Sequence, residues 1–240
     1  MNMKTSSELW GESFDRVLNR WRREKVGDSF HLPPTPQKIH WTIAISRQAG
    51  AGGVGVARAI GAKLGWEVYD RELLEKIAKE QGIRAELLQT VDERQGNWLT
   101  DCLAAFSGAP TASASGYARD LAEVLVSLAA HGDCVIVGRG AAVLLPPETT
   151  LRVRLVAPLK LRIARTAKDL GLDEREAKQK VESTDLQRCE FVRQHFHKDP
   201  EDVTLYDLTI NTSRFSVGES AELIVAALER LQLSVPAPSS

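Results

Sequence analysis

Four glycines fall within Gly50-Ala51-Gly52-Gly53-Val54-Gly55, which follows the apolar run Ile43-Ala44-Ile45 and the link Ser46-Arg47-Gln48-Ala49. An apolar run, a glycine loop and then helix-forming residues place unpaired backbone N–H groups, and the positive end of a helix dipole, where an anion can meet them. A tight turn without a ligand would need fewer glycines. Arginine is the other residue type positioned for chemistry. Arg139 stands between Gly138 and Gly140 directly after the apolar run CVIV. That is the C-terminal end of a strand, where open α/β sheets bind ligands. Farther along, Arg188, Arg193 and Lys198 outnumber Asp185 and Glu190, with His195 and His197 beside them. Guanidinium forks bind phosphate bidentately and stay charged, so this run is either a cationic cover for phosphate or a solvated helix face. The two histidines, two residues apart, face different ways on a helix, and no metal-ligand set is expected.

The glycine loop admits two ligand-binding readings. Gly50, Gly52 and Gly55 match GxGxxG, and Asp70 lies 20 residues after Gly50, where a dinucleotide fold carries its ribose-binding acid. Four residues nevertheless separate strand and first glycine, giving a wider loop suited to a terminal phosphate. The other reading is a P-loop, GxxxxGK[ST]. Here Arg47 stands at the first glycine, Gly53 at the lysine, and Val54 at the hydroxyl position. The rest of the chain must arbitrate.

The elements that would position these residues alternate between strand and helix. HWTIAIS reads as a strand and VGVARAIGAKLG as a helix with Ala57, Ile60 and Leu64 on one face; WEVYD reads as a second strand, with a helix from Arg71 to about Gln81. Residues 104–116 are small and turn-rich and read as a flexible loop. YARDLAEVLVSLAAHG returns to helix, DCVIVGRG to a buried strand and glycine turn, and TLRVRLVAP to a strand. Lys160 to Arg193 reads as helix with a break near Gly171, YDLTINTS as a last strand, and Gly218 to Leu231 as a last helix. Such alternation implies a largely parallel sheet covered on both faces.

Ahead of this region, Leu9, Trp10, Phe14, Val17, Leu18 and Trp21 recur at helical spacing, and His31 to Gln37 form a proline-rich linker. Residues 1–38 therefore read as a helical appendage, 39–232 as one domain and 233–240 as a disordered tail. The appendage helix must cover something; docking on its own domain is favoured over docking on a second chain, which would make a homo-oligomer. The chain has 240 residues, 43% hydrophobic and 26% charged, enough for a sizeable core. Its net charge of −1 supplies no global field for nucleic acid or an anionic membrane, so neither is expected as a partner. No run approaches the ~20 apolar residues of a membrane span. Cys102, Cys134 and Cys189 are sparse and unpaired in spacing, which suits a reducing compartment, and a cytoplasmic location is expected.

The segment ISRQAGAGGVGVARAIGAKLGWEVYDREL resembles the opening of the cytidylate-kinase-like family of P-loop nucleoside monophosphate kinases, and the resemblance continues through VIVGRGAAVLL, LRVRLVAPLKLRIAR, Asp185-x-x-Arg188 and YDLTINTS. It implies an α/β fold of three layers, with a P-loop parallel sheet, helices on both faces and a helical lid. It implies ATP and Mg²⁺ as cofactors and a CMP- or dCMP-like acceptor of the γ-phosphate. Carried over by residue, Gly50, Ala51, Gly52, Gly53, Val54 and Gly55 would surround the ATP phosphates, with Arg47 at the loop entrance. Asp70 would sit at the mouth of the cleft near the acceptor or its metal. Arg139 would hold the acceptor phosphate, although Gly140 replaces the aspartate of the family's Gly-Arg-Asp turn. Arg162, with Arg165, would open the helix before the lid on the substrate side, and Arg188 and Arg193 would close over the transferred phosphoryl group. The charge of the missing loop lysine would have to come from Arg47, Arg58 or a lid arginine. A catalytically impaired nucleotide-binding module and a dinucleotide-binding oxidoreductase are the competing functions.

Overall fold

The computed structural model describes residues 40–79, 87 and 116–234. The N-terminal appendage, its linker and the loop expected at 104–116 (apart from Gly116) lie outside the described residues. The five strands are β1 (Thr42–Arg47), β2 (Glu67–Tyr69), β3 (Cys134–Val137), β4 (Thr150–Val156) and β5 (Leu208–Asn211). They form one sheet in the order β2-β3-β1-β4-β5, and every pairing is parallel. In a dinucleotide fold the second strand lies beside the first. Here β3 intervenes, so the topology overturns the oxidoreductase alternative.

Between the strands run α1 (Gly53–Leu64), α2 (Arg71–Lys79), α3 (Gly116–His131), α4 (Ala141–Leu144), α5 (Leu159–Leu170), α6 (Glu174–Phe196) and α7 (Val217–Ser234). Parallel strands are buried on both faces and read as continuous apolar runs. Thr42 to Ile45 of β1 and all of β3 are buried accordingly. On one face Ile43, Ile45, Val135, Val153 and Leu155 pack with Val56 and Ile60 of α1 and Ala221, Ile224 and Leu228 of α7. On the other, Ala44 and Ile136 pack with Leu74 and Ile77 of α2, Leu121, Leu125 and Leu128 of α3, and Ala141 of α4. These are the three expected layers.

The expected break near Gly171 is a left-handed helix end (φ 65°) that closes α5, a conformation glycine adopts without penalty. α6 then starts on a capping box: Asp173 accepts from the Glu176 N–H, and Glu176 reaches back to the Asp173 N–H. The α5–α6 hairpin is the lid. Ile163, Ala177 and Val181 form a small core of their own with Ala49 of the glycine loop, so the lid is seated on that loop. At the C-terminus α7 continues to Ser234, which corrects the expected tail boundary: residues 233 and 234 are helical.

Candidate active site

β1 is the switch point of the sheet, since the chain leaves it toward β2 on one side and later returns to β4 on the other. The crevice at its C-terminal end is where ligands bind in open α/β sheets. Two sites meet there. The first is the glycine loop. Gly50 (φ 73°) and Gly52 (φ 78°) are both left-handed. Gly50 also lies where a Cβ would come within 2.5 Å of the Arg162 carbonyl, so the loop presses against α5. Gly52 caps α1 without a side-chain hydrogen bond, and the first turn of α1 carries no acid. The N–H groups of that turn thus keep their capacity for an anion, which fits the phosphates of a nucleotide. Thr212 fixes the loop from below by donating to the Ala51 carbonyl (3.1 Å), and Arg165 bonds both the Thr212 hydroxyl and its carbonyl.

The second is a cavity of about 330 Å³ on the α2/α3 face, whose lining includes Arg47, Arg71, Arg139, Arg154 and Arg188. Arg47 runs from the end of β1 between two glycines. A Cβ on Gly53 would lie 2.7 Å from its Cγ, and a Cβ on Gly138 would overlap its guanidinium. The space that a side chain at the loop's lysine position would enter therefore holds the stem of Arg47. Burial, then the charges of Arg188, Arg139 and Arg71, push Arg47 down to about 9. Burial likewise brings Arg139 down to about 10, with Arg71 and Arg188 adding to the effect, and it lowers Arg188. All remain cationic at neutral pH, and their mutual repulsion favours an incoming anion.

Arg139 adopts a left-handed backbone (φ 52°) between Gly138 and Gly140. Its guanidinium pairs with Glu75, which also binds Arg71 Nε at 2.8 Å, and it stands 5.0 Å from the centroid of the Phe191 ring on the lid. Among the described residues its buried Nε has no hydrogen-bond partner. A Cβ at Gly140 would collide with Phe196, so the lid's aromatic end takes the place of the aspartate expected at this turn.

The lid helix is tied down by polar contacts as well. Arg188 Nη1 donates to the Arg47 carbonyl at 3.1 Å. Asp185 accepts from the Ala49 N–H at 2.7 Å and pairs with Arg162 at 2.5 Å. Arg162 is buried, and its Nε and Nη1 also donate to the carbonyls of Ala157 and Ala49. It thus latches lid to loop and does not line the cavity. Arg193 also stands outside the cavity, exposed and paired with Asp199 at 3.0 Å. Asp70 is buried at the end of β2, and its Oδ1 accepts the Glu72 and Leu73 N–H groups, capping α2. Burial raises its pKa against those bonds. Arg58 and Val54 are exposed on α1.

Sequence reasoning assigned no role to Arg71 and Arg154. Arg154 left a readable signal: β4 alternates Thr150, Arg152 and Arg154 with Leu151, Val153 and Leu155, unusual for an inner parallel strand. Among the described residues no group of three metal-ligating side chains occurs, and no helix is long and apolar enough to cross a membrane.

The cytidylate kinase of Methanopyrus kandleri is 27% identical over 203 residues, covering 80% of this chain and 95% of that protein. The cytidylate kinase of Pyrococcus horikoshii is 26% identical over 190 residues, covering 79% and 88%. In fold the chain is similar to an uncharacterized protein from Eubacterium ventriosum, with a TM-score of 0.64 and 22% identity, covering 80% of this chain and 99% of that one. Residues 42–214, from β1 to just beyond β5, match the cytidylate kinase-like family, and the chain belongs to that family.

Proposed function

We propose that this protein is a phosphotransferase that moves the γ-phosphoryl group of ATP to a nucleoside monophosphate of the cytidylate type. The observation that carries this reading is the convergence of Arg47, Arg71, Arg139 and Arg188 on one cavity beside an uncapped helix N-terminus. Phosphoryl transfer asks a protein for positioning and for positive charge on the equatorial oxygens, with little covalent chemistry. A fold has no use for four crowded cations in its own packing. ATP with Mg²⁺ supplies the transferable group and screens the charge between its phosphates.

The chain's residues do the rest. Gly50, Ala51 and Gly52 shape the loop, and the N–H groups of Gly53, Val54 and Gly55 receive the donor phosphates. Arg47 supplies the charge that the loop lysine would otherwise bring. Arg139, whose Nε has no partner among the described residues, holds the acceptor phosphate. Arg188 reaches from the lid to the carbonyl of Arg47 and neutralises the group in transit. Asp70 acts as a positioning residue, since it fixes the start of α2 and with it Arg71. Val54 offers no hydroxyl to a metal, so Mg²⁺ would be carried by the phosphates themselves.

Gly53 and Val54, in place of lysine and a hydroxyl residue, favour one second reading: a nucleotide-binding module with impaired catalysis. A coupled ADP-release assay with ATP, Mg²⁺ and a panel of monophosphate acceptors separates the two. Turnover with CMP or dCMP supports the transferase. Thermal stabilisation by ATP or CMP without turnover supports the second reading.

A further inference from the structure

An acid is built into the arginine cluster from outside the cavity. Glu75, on α2, accepts from Arg71 Nε at 2.8 Å, and the same carboxylate oxygen pairs with Arg139 Nη2. Its side chain is 23% exposed and does not line the cavity, so it meets both guanidiniums without entering the space a ligand would take. The acids that do line the cavity are engaged elsewhere. Asp185 holds Arg162 and the Ala49 N–H, and Glu201 holds Arg154. After burial itself, the charges that lower Arg47, Arg139 and Arg188 are those of their fellow arginines. Glu75 is the counter-charge set against that repulsion at Arg71 and Arg139.

Helix stability does not account for this residue. Leu74, Ile77 and Ala78 beside it on α2 are buried, and a largely buried carboxylate costs more there than an apolar side chain unless it is paired. Its pair with Arg71 also runs in the weaker direction for a helix, cation before acid. The carboxylate answers to the arginines. Its effect on a bound anion follows from Coulomb's law: a negative charge against one edge of a guanidinium subtracts from the field that the other edges present. The subtraction weakens every anion, and the more highly charged anion more. Phosphoryl transfer turns a monophosphate into a diphosphate, so the product is more negative than the acceptor it replaces. Unopposed arginines would therefore hold the product hardest of all, and product release limits turnover in many enzymes.

We propose that Glu75 is a positioning residue whose charge, acting through Arg71 and Arg139, lowers the anion affinity of the cluster and lets the diphosphate product leave. The release step rests on the phosphotransferase reading above, and the test separates the two. Binding of inorganic phosphate is measured by calorimetry on the full-length chain, on Glu75→Gln, which keeps an acceptor oxygen and removes the charge, and on Glu75→Asp, which keeps the charge. The Kd for phosphate should fall about tenfold in Glu75→Gln and stay within about threefold of wild type in Glu75→Asp. In phosphate-free buffer the thermal midpoint of Glu75→Gln should lie below wild type, and added phosphate should narrow the gap. In transfer to CMP, the steady-state kcat of Glu75→Gln should fall about threefold or more while its single-turnover rate stays at the wild-type value, and CDP should inhibit it about tenfold more tightly. Phosphate binding in Glu75→Gln that is unchanged or weaker overturns the proposal, as does equally tightened binding in Glu75→Asp. A single-turnover rate that falls in step with kcat overturns the product-release role. A wild type that transfers to no monophosphate overturns the phosphotransferase reading and the release role with it, while the phosphate arm still decides the effect of the charge.

Discussion

The Cγ of Arg47 lies 2.7 Å from the point a Cβ on Gly53 would occupy, so an arginine from the end of β1 fills the space beside the loop position where a lysine would stand. Gly53 has no left-handed backbone, unlike Gly50 and Gly52. Its missing side chain answers to the arginine and not to the turn. Gly53→Lys alone should therefore overpack the site, lowering stability by about 1–3 kcal/mol and abolishing transfer. Arg47→Ala with Gly53→Lys should recover part of both. Thermal unfolding and ADP release on the single and double variants check this; a double variant no better than Gly53→Lys contradicts it.

Arg139 tests the division of labour in the cavity. Its guanidinium pairs with Glu75 and faces Phe191, on the turn that ends β3. Arg139→Ala should raise the acceptor KM by about 10- to 100-fold and leave the ATP KM within about threefold. Equal losses for both substrates would remove the acceptor-phosphate role.

Gly140 is the place where a family-like aspartate looks restorable and is not. Its backbone is left-handed (φ 76°), and Phe196 occupies the space of a Cβ. Gly140→Asp should destabilise by about 1–3 kcal/mol without improving acceptor binding. Adding Phe196→Ala should return only the steric part. A stable Gly140→Asp with a lower acceptor KM would refute this.

For Asp70 the expected effect is one of pH. Burial raises its folded-state pKa, so the native state is favoured while the group is protonated. That advantage is fully present below the unfolded value and is lost as pH rises through the raised folded value. Asparagine caps a helix as well as aspartate and does not ionise. The thermal midpoint of Asp70→Asn should therefore rise relative to wild type as pH climbs from the ordinary carboxylate range to neutral. Turnover should stay within about threefold of wild type, as befits a positioning residue. A large loss of kcat with unchanged stability would place Asp70 in the chemistry.

The strands and the glycine loop were legible because their signals are local. CVIV is buried throughout, and Gly171 ends α5 where the break was expected. Arg139 was legible for the same reason, being pinned to a strand end by flanking glycines. The arginines of the lid were not. Arg162 and Arg193 differ little from Arg188 in sequence context, yet Arg162 is consumed by Asp185 and two carbonyls, Arg193 by Asp199, and only Arg188 enters the cavity. Those outcomes depend on partners brought in by the tertiary fold, which spacing along one helix does not encode. Arg154 was overlooked because its strand was read for its apolar members, when the alternating charges carried the information.

The most direct test of the central claim is single-turnover and steady-state phosphoryl transfer by wild type and Arg47→Ala, with ATP binding measured separately by calorimetry. Charge accumulates on the phosphoryl oxygens mainly in the transition state, so an arginine serving there contributes more to rate than to ground-state binding. The account predicts transfer to CMP by wild type, with Arg47→Ala lowering kcat by about 100-fold or more and weakening ATP binding by less than about tenfold. A kcat unchanged in Arg47→Ala, or a wild type that binds ATP and CMP but transfers nothing, would contradict it.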